Sequence, residues 1–394
     1  MAAGQLNRYA DKRLIMKMIT QEKFKGKSVL LRVDYNVPIN NKGDIEDDAR
    51  ILATLPTLKY LLQSKPKEII LISHLGRPVV RPKERIQAII SGNKNLVLRP
   101  VAEKLSSWLK LKTKITVEKK PNFSLPFYRI SKNILLMENI RFDLREEKND
   151  LEFSRQLASL GDVYVDDAFA VCHREHASVV GISKYLPSFA GFLIEKEIKN
   201  LSTLLTKPEH PFVVISGGAK ISDKILAIKN ILKKTDYILL GGVMANTFMK
   251  GRGIDIKKSV CENEKVEFAN DLFDLAPRKF ILPTDLVWDK EKIVDIGNST
   301  VSHFQKIIAK AETIFWNGTM GLTSLGMQRF KRGTQLIAKA VVESKATSIV
   351  CGGDTISEIN QLGLGGKITF VSTGGGASLE FLAGEKLPGI EALG

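Results

Sequence analysis

Short apolar runs alternate with helical patterns along most of this chain. Most of these runs lead directly into Gly, Asn, Asp, His or Arg. Such runs predict buried strands, and the amphipathic stretches between them predict helices. This alternation is typical of repeated βα units, which form a mainly parallel sheet covered by helices. The predicted strands are Ser28–Asp34, Ile69–Ser73, Lys114–Val117, Ile134–Met137, Asp162–Val165, Phe212–Ser216, Tyr237–Leu240, Phe280–Leu282, Thr313–Trp316, Ser348–Cys351 and Ile368–Val371.

The chain has 394 residues, which is long for a single hydrophobic core and indicates two domains. Between its halves, residues 189–205 carry apolar side chains at helical spacing with few helix breakers, so we expect a connecting helix rather than a flexible linker. We predict an α/β protein with two doubly wound, Rossmann-like domains. The predicted boundaries are 1–187 for the first domain, 188–205 for the helix and 206–384 for the second domain.

Two glycine-rich turns follow each other closely near the end of the chain. They read S-I-V-C-G-G-D-T and F-V-S-T-G-G-G-A-S, and each predicts a strand, a tight turn and a helix start. Glycine lets the backbone turn sharply, and the exposed amides of a helix N-terminus bind anions. One such turn is usually only a connection, but two together indicate a phosphate-binding surface. Asp354 and Thr355 lie where they could meet Mg²⁺ and phosphate oxygens.

Polar residues gather at predicted strand ends in the first half of the chain. Ligands of open α/β sheets bind beyond the carboxyl ends of the strands, so we expect these residues to form one basic surface. Guanidinium groups grip phosphate and carboxylate with two parallel hydrogen bonds, which favours a small phosphorylated acid as the ligand. His173 and His176 have H-x-x-H spacing, but nothing adjoining completes a metal site. The residues are Asp34, Asn36, Arg50, His74, Arg77, Arg141 and Arg174.

The second half adds further strand-end material. F-V-V-I-S-G-G-A-K-I-S-D-K-I predicts a strand, a turn at Gly217 and Gly218, and a helix with Lys220 and Lys224 on one face. It is not a Walker A loop. Further turns lie at Gly242 and after the strand that precedes Asn317. Without an arrangement that would activate a covalent nucleophile, these residues suit phosphoryl transfer by positioning and charge.

Composition limits the remaining classes. No apolar run approaches the roughly 20 residues of a membrane-spanning helix, and the start of the chain lacks a signal-peptide core, so we expect a cytoplasmic protein without a membrane partner. The net charge of +16 raises nucleic acid as a partner. However, Lys and Arg are spread along the chain, which fits attraction of small polyanions, or ordinary surface lysines, as well. Three scattered cysteines indicate neither disulfides nor zinc.

Taken in order, these motifs closely resemble the phosphoglycerate kinase family over nearly the whole chain. The matching stretches are R-V-D-Y-N-V-P, S-H-L-G-R-P, E-N-I-R-F, D-D-A-F-A-V-C-H-R-E-H-A-S, G-G-A-K-I-S-D-K-I, G-G-V-M-A-N-T-F, C-G-G-D-T and S-T-G-G-G-A-S-L-E-F-L-A-G-E-K-L-P-G-I. The resemblance implies a monomeric, two-lobed hinge enzyme. Such an enzyme transfers phosphate between 1,3-bisphosphoglycerate and Mg-ADP, giving 3-phosphoglycerate and Mg-ATP. It also implies that the C-terminal tail, about 385–394, packs back on the first domain.

The resemblance assigns roles to particular residues. Arg50 and Lys220 would neutralise the migrating phosphoryl group, together with the amides of Gly374 and Gly375. The glycerate would be held by Asp34, Asn36, Arg50, His74, Arg77, Arg141 and Arg174. Asp354 would lie on the Mg²⁺ side. The nucleotide would be bound by Gly217, Gly218, Lys220, Lys224, Gly242, Asn317, Ser324, Gly352, Gly353, Asp354 and Thr355.

One segment departs from the family pattern, in which W-N-G is followed by P-x-G-V-F-E. Here Thr319 replaces the proline, Ser324 stands at the glutamate position, and the segment is about two residues longer. The glutamate implied by the resemblance would hold the ribose hydroxyls. Loss of a charge-assisted hydrogen bond costs roughly 1.5–3 kcal/mol, so we expect weaker or less selective nucleotide binding unless Ser324 or Gln328 substitutes.

Two other interpretations remain to be weighed. One is a family member that has lost catalysis and binds nucleotides or nucleic acid, which only the missing carboxylate and the charge favour. The other is a dinucleotide-dependent oxidoreductase. That class requires G-x-G-x-x-G after a strand and an acidic residue about 20 positions later, which no predicted strand supplies.

Overall fold

The computed structural model describes residues 16–40, 42–112, 114–222, 224–323 and 327–394. These residues divide into two compact units. The first, here called the N unit, contains the described residues up to Ile198 together with Lys386–Gly394. The second, the C unit, contains Lys199–Glu385. The Ser324 position of the sequence analysis lies outside the described residues.

A seven-stranded sheet forms the centre of the N unit, in the order β3-β4-β5-β2-β1-β6-β7. Neighbours from β5 to β7 run parallel, whereas β4 is antiparallel to both β3 and β5. A seven-stranded order with β1 and β2 in the middle buries these strands on both faces, which explains their unbroken apolar sequences. The strands are β1 (Ser28–Arg32), β2 (Glu68–Ile72), β3 (Thr116–Glu118), β4 (Phe127–Ser131), β5 (Ile134–Met137), β6 (Val163–Asp166) and β7 (Ser188–Ala190).

A six-stranded, fully parallel sheet forms the centre of the C unit, in the order β10-β9-β8-β13-β14-β15. A separate antiparallel pair, β11 (Leu286–Asp289) and β12 (Lys292–Ile296), lies outside it. Trp316 on the central β13 is fully buried, with Phe304 from a covering helix in the same core. The strands of the large sheet are β8 (Phe212–Ser216), β9 (Tyr237–Leu240), β10 (Phe280–Ile281), β13 (Thr313–Asn317), β14 (Thr347–Cys351) and β15 (Phe370–Val371).

Helices connect the parallel strands, as βα units require. One helix, α5, spans the boundary between the two units in sequence. The α-helices are α1 (Ala49–Gln63), α2 (Ile86–Gly92), α3 (Arg99–Trp108), α4 (Leu151–Ala158), α5 (Phe192–Thr206), α6 (Ile225–Ile231), α7 (Gly242–Gly251), α8 (Val266–Leu275), α9 (Asn298–Ile308), α10 (Arg332–Glu343), α11 (Gly353–Gln361), α12 (Gly376–Ala383) and α13 (Pro388–Glu391). Among the helices described, none is long and apolar enough to cross a bilayer.

The predicted α/β class with mainly parallel sheets is confirmed, and every predicted strand is present with ends that differ by at most two residues. The predicted helix over 188–205 begins later, at Phe192, because Ser188–Ala190 forms β7 beside β6. Strand β4 and the β11–β12 pair were not predicted. Charged residues interrupt these strands, at Arg129 in β4 and at Lys292 and Asp295 in β12, so they lack the continuous apolar run that marks the predicted strands.

The C-terminal tail packs within the N unit. The amide of Gly389 donates to the carbonyl of Cys172 at 2.8 Å, and the amide of Lys17 donates to the carbonyl of Leu393 at 3.4 Å. Leu387 and Ile390 are buried. The tail therefore belongs to the N unit although the C unit precedes it in sequence.

Candidate functional site

The predicted basic surface of the N unit begins at the carboxyl ends of four neighbouring strands. Asp34 lies just beyond β1, His74 just beyond β2, Arg141 follows β5 and Arg174 follows β6. These strands are adjacent in the sheet and run parallel, so the segments that follow them emerge at one edge. We call the polar residues at this edge the basic cluster.

An acid–base pair holds one side of the basic cluster. Arg50, in the first turn of α1, donates to a carboxylate oxygen of Asp34. Asp34 is almost fully buried, and its other oxygen accepts the amide of Asn36 at 3.2 Å. The side-chain oxygen of Asn36 in turn accepts the amide of Gly76 at 2.8 Å. Asp34 and Asn36 therefore fix the arginine and the turn after β2.

Arg141 is a buried cation with unused donors. Its Nη1 donates to the carbonyl of Gly76 at 2.7 Å, and Nε lies 3.1 Å from a carboxylate oxygen of Glu147. Its Nη2 has no hydrogen-bond partner among the described residues. Burial lowers the pKa of Arg141 to about 10, which leaves the side chain charged at neutral pH. A buried guanidinium with an open donor favours an anionic ligand, because an unpaired buried donor is costly.

Two further buried residues complete the basic cluster, and the sequence analysis missed both. Arg32, on β1, donates to Ser178 Oγ at 2.9 Å, and its Nη2 lies 3.3 Å from His74 Nδ1. Glu146 accepts the Ser178 hydroxyl at 2.6 Å, and burial raises its pKa. The available signal for Arg32 was a charged residue inside the apolar L-L-R-V run. Glu146 had none, since its partners are distant in sequence.

The histidines of the basic cluster are held neutral. Burial, followed by the charges of Arg32 and Arg141, lowers the pKa of His74 well below its usual range. Burial likewise lowers the pKa of His173 to about 4 and that of His176 to about 3. Neutral imidazoles accept hydrogen bonds, and His173 Nε2 accepts one from Arg174 Nε at 3.2 Å.

In the described part of the chain, no cluster of three or more His, Cys, Asp or Glu residues is placed to hold a metal ion. The H-x-x-H pair therefore has no described third ligand. Arg77, the remaining predicted residue of this surface, is exposed. Hydrogen bonds and ion pairs thus link five of the predicted residues, partly through the backbone of Gly76, whereas Arg174 bonds to His173 and Arg77 is exposed.

A cavity of about 470 Å³ lies at the carboxyl edge of the C-unit sheet. Glycines and one buried threonine supply much of its wall, so the backbone is accessible to a ligand. We call it the glycine cavity. Its lining residues are Lys224, Asn317, Gly318, Gly352, Gly353, Asp354, Thr355, Gly375, Gly376, Leu379 and Glu380.

Both glycine-rich turns adopt the predicted strand–turn–helix conformation. Gly352 precedes α11 with φ of +97°, and Gly375 precedes α12 with φ of +54°. These are left-handed backbone angles that residues with a Cβ rarely adopt. Both helices therefore begin at the glycine cavity, where their N-terminal amides favour anions. Asp354, in the first turn of α11, is exposed at the same place.

The predicted helix that carries Lys220 and Lys224 is wrong, because α6 starts only at Ile225. The carboxylate of Glu262 accepts the amides of Ile221 at 2.9 Å and Ser222 at 3.1 Å, which stabilises a non-helical turn. Lys224 lines the glycine cavity and donates to the carbonyl of Gly217. Lys220 is exposed and does not line the cavity.

The remaining predicted glycines of the C unit pack against the segment after β13. The amide of Gly218 donates to Thr319 O at 2.8 Å, and the amide of Gly242 donates to Met320 O at 2.9 Å. The amide of Gly217 donates to the carbonyl of Asn317 at 3.1 Å. The amides of these three glycines are therefore already bonded to backbone carbonyls of residues 317–320, and the glycines support that segment.

Two further predicted residues, Asn317 and Gly374, are buried and donate hydrogen bonds within the protein. Asn317 is buried and donates through Nδ2 to Cys351 Sγ at 2.9 Å, while still lining the cavity. The amide of Gly374 donates to Ser372 Oγ at 3.2 Å, and Gly374 is buried. Gly375, in contrast, lines the cavity.

Comparisons with known proteins agree over nearly the whole chain. The family model described as "Phosphoglycerate kinase" matches residues 19–385. The "Phosphoglycerate kinase" of Finegoldia magna is 44% identical, with 93% of this chain and 96% of the relative covered. That of Dictyoglomus turgidum is 43% identical, with 95% and 97% covered.

Solved structures give the same result. The phosphoglycerate kinase of Coxiella burnetii has a TM-score of 0.78 at 35% identity, covering 96% of this chain and 98% of that chain. The phosphoglycerate kinase of Pyrococcus horikoshii has a TM-score of 0.75 at 30% identity, with the same coverage.

Proposed function

Because the chain belongs to the phosphoglycerate kinase family, we propose that the basic cluster and the glycine cavity hold the two substrates of one phosphoryl transfer. Membership makes the protein a phosphotransferase with a carboxyl group as acceptor. We propose 3-phosphoglycerate or 1,3-bisphosphoglycerate as the ligand of the basic cluster, and ADP or ATP as the ligand of the cavity. The observation that carries this assignment is the buried Arg141, whose Nη2 has no hydrogen-bond partner among the described residues.

The chemistry of the basic cluster supports a small, doubly anionic ligand. The cluster contains Arg32, Arg50, Arg141 and Arg174, and its buried histidines are neutral. Its positive charge therefore comes from the guanidinium groups. Guanidinium forks suit both the carboxylate and the phosphate of a phosphoglycerate. Arg77 is exposed and is proposed to contact the ligand from the solvent side. The proposed ligand-binding set is Asp34, Asn36, Arg50, His74, Arg77, Arg141 and Arg174.

The glycine cavity supports a polyphosphate chain. The N-termini of α11 and α12 open into it, and Lys224 adds a positive charge to its wall. Helix amides and a lysine suit successive phosphates of a nucleotide. The proposed nucleotide-binding set is Gly217, Gly218, Lys220, Lys224, Gly242, Asn317, Ser324, Gly352, Gly353, Asp354 and Thr355.

The donor set of the cavity fits a magnesium ion carried by the nucleotide. Mg²⁺ in such sites is bound through one or two carboxylates and the substrate phosphates, and Asp354 supplies one exposed carboxylate at the cavity. When bound, the ion would neutralise charge on the phosphate oxygens. Asp354 is therefore the residue that we propose to hold it.

The transfer itself needs no covalent intermediate. A β-phosphate oxygen of ADP attacks the acyl phosphate, the new P–O bond forms as the bond to the carboxyl oxygen breaks, and 3-phosphoglycerate leaves as a carboxylate. The side chains of Arg50 and Lys220 and the amides of Gly374 and Gly375 are proposed to stabilise the charge of the migrating group. The side chain of Lys220 is exposed, which supports its proposed contact with the migrating group.

We also propose that the protein acts as a cytoplasmic monomer in glycolysis or gluconeogenesis, as its family membership suggests. The proposed functional domains are 1–187 with the tail of about 385–394, and 206–384. Size-exclusion chromatography with light scattering tests the monomer, since a stable dimer would double the mass.

A coupled assay with ATP and 3-phosphoglycerate tests the proposed reaction. We expect turnover by the wild type, and a loss of about a thousandfold or more in Lys220→Ala, because a cation that stabilises the transferred group is removed. Lys233→Ala, at another exposed lysine of the C unit, is the matched control and should retain activity. Wild-type protein that binds ATP without turnover would instead indicate the catalytically impaired alternative.

The missing ribose carboxylate gives a second test. We expect Ser324→Glu to tighten ADP binding about tenfold. The change would recover part of the roughly 1.5–3 kcal/mol that a charge-assisted hydrogen bond contributes. Calorimetric titration with ADP and 2′-deoxy-ADP measures the gain, which should be smaller for a sugar that lacks one hydroxyl. Ser107→Glu, an exposed position in the N unit, controls for the added charge. Ordinary family-strength ADP binding by the wild type would contradict the expected weakness.

A further inference from the structure

Gly218 fixes the chain on the N-terminal side of Lys220. The amide of Gly218 donates to the carbonyl of Thr319 at 2.8 Å, and the carbonyl of Gly218 accepts the amide of Val243 at 3.1 Å. Thr319 follows the central strand β13, and Val243 lies in the first turn of α7. The backbone at Gly218 is therefore held between the end of a strand and the start of a helix.

On the C-terminal side of Lys220, a carboxylate from a distant loop holds the chain. Glu262 accepts the amide of Ile221 through Oε1 at 2.9 Å and the amide of Ser222 through Oε2 at 3.1 Å. The side chain of Ile221 is fully buried, and its carbonyl accepts the first amide of α6 at 2.9 Å. Hydrogen bonds from backbone amides to an ionised carboxylate are among the strong ones, so Glu262 fixes this end of the turn.

Two residues, Ala219 and Lys220, lie between these fixed points. So short a span has few backbone conformations once both of its ends are held. The side chain of Lys220 is exposed. The direction in which this side chain leaves the backbone is therefore set by the hydrogen bonds on either side of it.

Glu262 is itself braced against α7. Its amide donates to Thr247 Oγ1 at 3.1 Å, and the hydroxyl of Thr247 donates to the carbonyl of Val243 at 3.0 Å. Thr247 is fully buried. Because the amide of Val243 donates to Gly218, a chain of hydrogen bonds runs from Gly218 through α7 to Glu262. The carboxylate of Glu262 then closes this chain just after Lys220.

We propose that Glu262 is a positioning residue for phosphoryl transfer, which acts through the backbone to hold Lys220 where it meets the migrating group. This inference rests on the proposed function, in which Lys220 stabilises the charge of that group. Phosphoryl transfer depends mainly on positioning and charge, and a displacement of about 1 Å can cost about a hundredfold in rate. Lys224 has its own bond from Nζ to the carbonyl of Gly217, so its place in the cavity wall does not depend on Glu262 alone.

A carboxylate near a helix start also stabilises a fold without any part in catalysis. A purely stabilising Glu262 would change the melting temperature but would leave kcat as it is. The test therefore needs readouts that separate the two roles. Suitable readouts are the division of the effect between kcat and ADP affinity, the exchange of the two held amides, and the dependence of the effect on Lys220.

The experiment compares Glu262→Gln, Thr247→Val and the control Glu264→Gln. Glutamine keeps the length of Glu262 but replaces one acceptor oxygen by an NH₂ group, which cannot accept an amide. Glu264→Gln removes the same charge at an exposed position two residues later. For each protein, kcat, the Kd for ADP, the melting temperature and the amide hydrogen exchange of Ile221 and Ser222 are measured.

We expect kcat to fall about ten- to a hundredfold in Glu262→Gln. Exchange of the Ile221 and Ser222 amides should become about tenfold faster or more, because the turn opens locally. The Kd for ADP should change less than about twofold, since Lys224 keeps its own bond. Glu264→Gln should match the wild type in all four measurements.

Thr247→Val should lower kcat by about two- to fivefold, because it removes a single neutral hydrogen bond behind Glu262. This variant changes little volume, so it keeps the test possible if Glu262→Gln does not fold. In a Lys220→Ala background, Glu262→Gln should lower the residual kcat by less than about twofold, because an effect that acts through Lys220 disappears with it.

Three results would overturn the inference. The first is wild-type kcat in Glu262→Gln, which would leave the carboxylate a stabilising role only. The second is a full further loss of kcat in the Lys220→Ala background, which would mean that Glu262 acts by another route. The third is an equal loss of kcat and ADP affinity, which would indicate general damage to the site. An inactive wild type would remove the proposed function instead, and the amide exchange rates would still decide whether Glu262 holds the turn.

Discussion

The basic cluster and the glycine cavity both suit anions, but they are built from different materials. The basic cluster uses charged side chains, several of them buried and braced by partners such as Asp34 and Glu146. The glycine cavity uses backbone amides at two helix starts, with Lys224 as a cation on its wall. One site holds its charge on long side chains, and the other obtains its polarity from backbone conformation.

The two sites should therefore be sensitive to different substitutions. Ligand binding at a site made of side chains should change most when charge or hydrogen-bond geometry is altered. The buried histidines beside it should also make the stability of the fold depend on pH. A site made of backbone should respond most to the addition of a Cβ atom, even though that change alters no charge. Substitutions at Gly318, Arg141 and His176 distinguish these two kinds of response.

The strongest prediction concerns Gly318 in the wall of the glycine cavity. Its φ is +97°, and a Cβ atom there would lie 2.2 Å from the carbonyl oxygen of Gly217. We expect Gly318→Ala to cost about 2–4 kcal/mol through strain and overpacking, and to weaken ADP binding roughly a hundredfold. Calorimetric titration with ADP checks the effect. Gly366→Ala should be silent, because that glycine has no neighbour within 4 Å of an added Cβ.

The second prediction concerns the buried arginine of the basic cluster. Arg141→Lys keeps the charge but removes the planar fork whose Nη1 donates to Gly76 O. We expect the KM for 3-phosphoglycerate to rise roughly ten- to a hundredfold, equivalent to about 1.5–3 kcal/mol, with ADP affinity unchanged. Steady-state kinetics with each substrate varied in turn measures this. Arg99→Lys, at an exposed arginine of the N unit, should leave both values as they are. A parallel rise in both would mean that the contrast between the sites is false.

The third prediction concerns the pH dependence of stability. Burial, then the charges of Arg32, Arg141 and Arg174, lowers the pKa of His176 to about 3. Its value in the unfolded chain is about 6.5. Below pH 6.5 the unfolded chain therefore binds more protons at this position than the folded protein, and acidification favours unfolding. Between pH 6.5 and 5 this histidine should remove about 2 kcal/mol of stability.

Urea unfolding of wild type and His176→Gln at pH 6.5 and pH 5 measures that contribution. The wild type should lose more stability on acidification than the variant, by about 2 kcal/mol. His303→Gln, at an exposed histidine, should follow the wild type. Equal losses in wild type and His176→Gln would show that this histidine is not kept neutral by the fold.

Local pattern was enough to predict the strands, because parallel strands buried on both faces leave continuous apolar runs such as F-V-V-I-S. It also predicted both glycine turns, whose positive φ angles demand glycine. Local pattern failed where a distant residue decides the conformation. The segment around Lys220 has helical spacing, but Glu262, about 40 residues later, binds two of its amides and delays the helix.

The site was predicted unevenly for the same reason. Residues just after strands, such as Asp34 and His74, were found because a parallel sheet brings its carboxyl ends to one edge. Arg32 and Glu146 were missed because their role depends on Ser178, which both contact and which lies far away in sequence.

The hydrogen bond from Gly389 to Cys172 has a consequence for how the protein is made. During synthesis, residues 1–198 emerge from the ribosome long before the tail that covers Cys172 and Val179 is made. The C unit is thus an insertion into the N unit. The first part of the N unit therefore keeps the apolar surface that the tail covers exposed until synthesis is almost finished. A recombinant fragment that stops at Ile198 would keep that surface exposed permanently, so a separately expressed N unit should include residues 386–394, joined by a short linker.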